Sequence, residues 1–205
     1  MTGLIADRQE FEQTMEALGT VLRLDQTFPA QVLKTAPASF FLFDDTLVFT
    51  AHFDEIRQEL FRMAGGVPLY FASLEPDPVG YFFAHFGKYP LIRYDTAVDG
   101  DGFRKPLNED PGGSPADAIM TNTERFAMFP RDLSWLLYAD RGWELAIAVA
   151  FVQETAAQLL SAFPADVRFD AEGALQDLLE PVYRGGVPED FRRELLMNYG
   201  SGDSA

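Results

Sequence analysis

The sequence predicts an α+β fold: a single domain over residues 1–205, with a mostly antiparallel β-sheet flanked by helices and a helical C-terminal part. Three observations carry this. Short apolar runs with strand alternation fill the first three quarters, while helical repeats interrupt them and close the chain. At 205 residues and 47% hydrophobic, the chain can also bury one sizeable core.

Taken in order, Asp7 and Glu10 have the form of a capping box. Phe11, Met15, Leu18 and Leu22 follow at helical spacing, so a first helix is expected over about residues 7–18, interrupted at Gly19. TVLRLD then alternates as a short strand. SFFLFDDTLVFTAHF reads as two β-arms around a turn at Asp44-Asp45. Phe53, Ile56, Leu60 and Met63 then shift to helical spacing, ended by Gly65-Gly66. VPLYFAS is a strand closed by EPDPVG. YFFAHF and YPLIRYD flank Gly87-Lys88 as a hairpin, with Pro90 at an edge or a strand start. Residues 98–118 are rich in Gly, Pro and Asp and predict a long loop, of the kind that is either functional or mobile.

Residues 134–151, SWLLYADRGWELAIAVAF, hold both tryptophans. As an extended strand, Trp143, Leu145, Ile147, Val149 and Phe151 share one face and Glu144, Ala146, Ala148 and Ala150 the other. WLLYA is the partner strand, and Asp140-Arg141-Gly142 supplies the turn. One long helix over residues 144–163 would put large apolar groups all round its first half. A strand followed by a helix through Val152, Ala156, Leu159, Leu160 and Phe163, ended by Pro164, fits the spacing better. Helices follow near Ala171 to Leu179 and in VPEDFRRELLMNYG, which has Pro188 at its start, acids in its first turn and Gly200 after its end. The tail 201–205 should be frayed.

Acidic residues outnumber basic ones 32 to 16, for a net charge of −16. Such a field repels phosphate backbones and anionic lipid, so neither nucleic acid nor membrane is an expected partner. It attracts a basic protein and keeps an aromatic-rich chain in solution. The absence of cysteine removes disulfides and thiolate chemistry. With no signal-peptide pattern and no apolar run of spanning length, a soluble cytoplasmic protein of bacterial type is expected.

LFDDTLV resembles the opening motif of haloacid-dehalogenase-like phosphatases over Phe43 to Val48, but Asp44 and Asp45 are adjacent. On a strand they point apart, and the motif's glycine is missing, so phosphatase chemistry is rejected. His52 and His85 with Asp54 or Glu55 make a conceivable two-histidine, one-carboxylate set only if their segments meet in the sheet, and no metal or cofactor is expected. DGDG at residues 99–102 departs from a calcium loop at Phe103 and Arg104. Ser114 lacks a nucleophile-elbow context. VPEDFRRELLMNYG looks like a short helix of the SUKH superfamily of immunity-type proteins, yet it closes the chain where that family places it before the sheet. The likeness is generic helix-start grammar and implies no membership.

What remains is the aromatic load. Trp135, Tyr138, Asp140, Arg141 and Trp143 are the candidate binding residues, because Trp, Tyr and Arg are the residue types of interface hot spots. The function expected is a non-enzymatic acidic protein-binding module, such as an inhibitor, immunity-like protein or adaptor, with a basic protein as partner. The alternative is a small-molecule binder or hydrolase-like enzyme using carboxylates near the 98–118 loop. Self-association through a sheet edge is a third outcome.

Overall fold

Aspartate side chains start several of the helices, and alternating apolar residues set the strands between them. The computed structural model describes residues 3–112 and 114–200. It opens with β1 (Gly3–Leu4) and α1 (Arg8–Val21), where the Asp7 carboxylate accepts from the Glu10 N–H at 2.7 Å. The capping box closes on one side only, since the Glu10 carboxylate turns instead to Arg93 at 2.9 Å. α1 also runs past Gly19, so TVLRLD is not a strand and Leu22 makes a lone bridge to Leu33. A helical glycine costs about 1 kcal/mol. Fully burying Leu22 in the core returns about 1.5–3 kcal/mol.

β2 (Ser39–Phe43) forms as expected, but no second arm returns from Asp44-Asp45. The Asp44 carboxylate accepts from both the N–H and the hydroxyl of Thr46, at 2.8 and 2.6 Å, and starts a 3₁₀ turn over Asp45–Phe49. α2 (Phe53–Met63) follows, and the chain leaves it through Gly65 and Gly66 at φ of 62° and 88°, which only glycine adopts freely. After β3 (Leu69–Glu75), the expected YFFAHF strand is helical. Asp77 caps Val79 N–H at 2.9 Å, and a π-type turn Pro78–Phe83 runs into α3 (Ala84–Phe86), setting Phe82 edge to face against Phe86 at 4.9 Å. β4 (Leu91–Tyr94) therefore pairs with β1 and β3 rather than in a hairpin about Gly87-Lys88.

The stretch 98–118 is likewise not loop throughout. Asp99 accepts from Gly102 N–H at 2.7 Å and starts α4 (Gly100–Asn108), whose Phe103 and Leu107 are buried one helical turn apart. Asp54 joins α2 to it, reaching Arg104 at 3.0 Å and the buried Arg57 at 3.6 Å. A short 3₁₀ turn Pro115–Asp117 and α5 (Ile119–Asn122) complete the stretch.

β5 (Arg125–Pro130), β6 (Trp135–Asp140) and β7 (Leu145–Ala150) then form a meander, and α6 (Gln153–Ala162) follows and stops before Pro164. The extended reading of residues 145–150 holds. α7 (Ala171–Gly173), a π-type stretch Ala174–Leu179 and α8 (Glu180–Val182) run on continuously, and α9 (Glu189–Tyr199) closes the described chain. The predicted tail 201–205 lies outside the described residues. Among those residues, no helix is long and apolar enough to cross a membrane.

The seven strands make one antiparallel sheet in the order β1-β4-β3-β5-β6-β7-β2. Helices cover both faces, α1 with α7 and α9 on one and α2, α4, α5 and α6 on the other. That is why β7 alternates large with small instead of apolar with polar. Leu145, Ile147 and Val149 fill one core, while Ala146, Ala148 and Ala150 let α6 approach on the other. The outer edge of β2 is partly closed by reciprocal hydrogen bonds between Leu42 and Phe169, at 2.8 and 2.9 Å.

Candidate functional site at the central hairpin

The β6–β7 hairpin pairs Asp140 with Leu145, so Arg141 to Glu144 form its connection. Asp140 shapes the turn by accepting from Gly142 N–H at 3.1 Å, and Glu144 takes a positive φ of 52°. The strand parity that builds the hairpin also divides the five candidate residues. Trp135 and Tyr138 are fully buried and lie in opposite cores. They cannot share one contact surface with the turn, so the expected five-residue patch is corrected to its turn portion. Tyr138 donates to the Gln26 carbonyl at 3.1 Å, and burial pushes its hydroxyl's pKa up.

Arg141 is also used internally. Its guanidinium donates to the carbonyls of Met120 and Thr123 at 3.0 and 2.8 Å, lies over the Phe49 ring at 5.3 Å, and stands 3.8 Å from Asp45. It latches the turn to the end of α5 and to the 3₁₀ turn after β2. Asp45 is 1% exposed, and its Oδ1 has no hydrogen-bond partner among the described residues. Burial first, then the neighbouring Asp44, pushes its carboxyl up to about 7 against the pull of Arg141. Asp140 is pushed up to about 6, again chiefly by burial. Such shifts suit acid-base work, but Asp45 is sealed from solvent and Asp140 is occupied holding the turn.

Sequence reasoning overlooked Arg125. It stands at the start of β5, pairs with Glu75 at 2.6 Å, and donates to the carbonyls of Leu24 and Gln26 at 3.2 and 2.9 Å. Nothing local marks it, since all three partners are distant in the chain. Tyr183 was also overlooked; its hydroxyl donates to the Gly142 carbonyl at 3.1 Å. Trp143 lies against Phe191 at 3.9 Å and Tyr183 at 5.5 Å between ring centroids, so this half of the turn leans on the C-terminal helices and keeps a partly exposed aromatic edge.

Three acidic side chains are exposed at this end of the sheet. Asp44, Glu124 and Glu144 are exposed and form no ion pair among the described residues, and the Glu124 carbonyl accepts from Arg141 N–H at 2.9 Å at the turn itself. The two histidines stand apart from this site. Both are exposed, and the His85 ring bonds to the Tyr81 carbonyl on its own helix at 2.7 Å. Among the described residues no group of three His, Asp or Glu is placed to hold a metal ion. Comparison with protein-family models, curated proteins and solved structures finds no match.

Proposed function

We propose that the protein is a non-catalytic binding module whose hairpin end docks a basic protein, as an inhibitor or adaptor would. One observation carries the reading: Asp44, Glu124 and Glu144 are exposed at the hairpin end of the sheet with no ion pair among the described residues, Glu144 directly beside the partly exposed Trp143, while Arg141 is engaged inward. Exposed carboxylates steer a positively charged partner and fix its orientation, and the aromatic edge of the turn supplies contact area. The net charge of −16 extends the same field over the rest of the chain.

The test compares wild type with a variant carrying Asp44→Asn, Glu124→Gln and Glu144→Gln, since asparagine at position 44 still caps the turn. In affinity capture from native lysate, wild type should retain a basic protein at about 50 mM salt and release it at about 0.5 M, where screening is nearly complete. The triple variant should retain none. A partner held equally by the variant, or insensitive to salt, contradicts the reading.

A further inference from the structure

At the opposite ends of the strands lies a groove between α1 and the sheet, built by a different set of residues. Arg93, Tyr70 and Phe129 stand abreast on β4, β3 and β5 by strand register, and the groove continues over Gln13 and Thr14 of α1 to Arg131 just beyond β5. It encloses about 410 Å³ and joins, through Glu10 and Arg93, a second hollow of about 610 Å³ beside β1.

Two features bear on what the groove could hold. Tyr70 and Thr14 are only 5% and 9% exposed, both line the groove, and neither hydroxyl has a hydrogen-bond partner among the described residues. Neither hydroxyl oxygen is among the fully buried side-chain atoms left without a partner, so both hydroxyls open onto the groove, where each can exchange water for a ligand. The second feature is a charge imbalance. Arg93 is balanced by Glu10 at 2.9 Å and Asp95 at 2.6 Å, whereas the side chain of Arg131 makes no hydrogen bond or ion pair among the described residues.

We infer that this groove binds a small hydroxylated monocarboxylate, of the sugar-acid type, with its carboxylate on Arg131 and its hydroxyls on Tyr70, Thr14 and Gln13. One uncompensated guanidinium matches one negative charge and takes a carboxylate in two-pronged fashion. A dianionic phosphate would set its second charge beside the Glu10 carboxylate. At about 30 Å³ per water, the groove holds the equivalent of roughly a dozen waters, so acetate would leave most of it unfilled. The amide of Gln13 and the two hydroxyls both donate and accept, which suits a polyol better than an apolar acid.

The site lies at the far end of the strands from the proposed docking surface, and the two stand or fall separately. Isothermal titration at low ionic strength would compare D-glucuronate and D-gluconate with D-glucose and inorganic phosphate. Saturable binding of at least one acid is expected, at least tenfold tighter than glucose or phosphate. Binding should weaken at least tenfold in Arg131→Gln, an exposed position that leaves the fold intact, and severalfold in Tyr70→Phe. No saturable binding of either acid, a preference for phosphate or glucose, or unchanged affinity in Arg131→Gln would overturn the assignment.

Discussion

The two ends of the sheet use polar side chains in opposite ways. At the hairpin end, Arg141 and Arg125 spend their guanidinium groups on backbone carbonyls of neighbouring segments, and Asp140 spends its carboxylate on the turn. At the other end, Arg131, Tyr70 and Thr14 line a groove with nothing described to bond to. The comparison teaches that a polar residue in a promising sequence context can be wholly consumed by architecture, while one in an unremarked context is left available. Arg141 drew attention because it sits between two tryptophans. Arg131 did not, yet it is the one left unpaired.

Four substitutions would break or sharpen this contrast. The largest effect is expected at Asp45. Its carboxyl is pushed up to about 7 in the fold from an ordinary 3.8, so the native state keeps a proton that the unfolded chain has already lost. Stability therefore falls as pH rises from about 4 and levels off near 7, by at most about 4 kcal/mol for this group. Denaturant unfolding at pH 5 and pH 8 should show a larger fall in wild type than in Asp45→Asn, and the variant should be the more stable of the two at pH 8. Equal pH profiles would mean that the buried carboxyl is not strained.

Arg141→Ala comes next. Two charge-assisted hydrogen bonds to carbonyls disappear and Asp45 loses its nearest opposing charge, for an expected cost of about 2–4 kcal/mol that grows with pH. This reverses the expectation for a turn arginine that serves only a partner. Because Asp45 and Arg141 are neighbours, the double variant should depart from additivity by more than about 0.5 kcal/mol. Tyr183→Phe removes one hydrogen bond at the rim and should cost about 0.5–1 kcal/mol in the same assay. Arg131→Gln should change stability by less than about 0.5 kcal/mol, since its side chain holds nothing in place. A large loss there would make the groove structural.

Much of the architecture was legible because period and punctuation agree. LAIAVA alternates without a break, VPLYFAS is closed by prolines, and VPEDFRRELLMNYG starts with proline and acids. Three of the differences share one cause. At Asp44, Asp77 and Asp99 a carboxylate caps the backbone two or three residues on and starts a helical turn, whereas aspartate in such a context fits loop or turn chemistry equally well. The aromatic residues of YFFAHF satisfy either a strand or a helix, and the Asp77 cap decides between them. The site was half legible. Alternation predicts the hairpin, but the same alternation places Trp135 and Tyr138 on opposite faces, so only the turn residues can share a surface. The role of Arg125 and the meeting of α1 with the sheet at the groove depend on contacts about 80 to 100 residues apart in the chain, as in the Arg93–Glu10 pair and the Arg125–Leu24 bond, and no local pattern encodes them.

The proposal of a basic partner at the hairpin end is tested most directly by zero-length carbodiimide cross-linking, which joins carboxylates to lysines only where they touch. With the partner captured at low salt, cross-linked peptides should carry Asp44, Glu124 or Glu144 and should vanish at high salt. Cross-links confined to α1 or α2, or spread evenly over exposed acids, would contradict it.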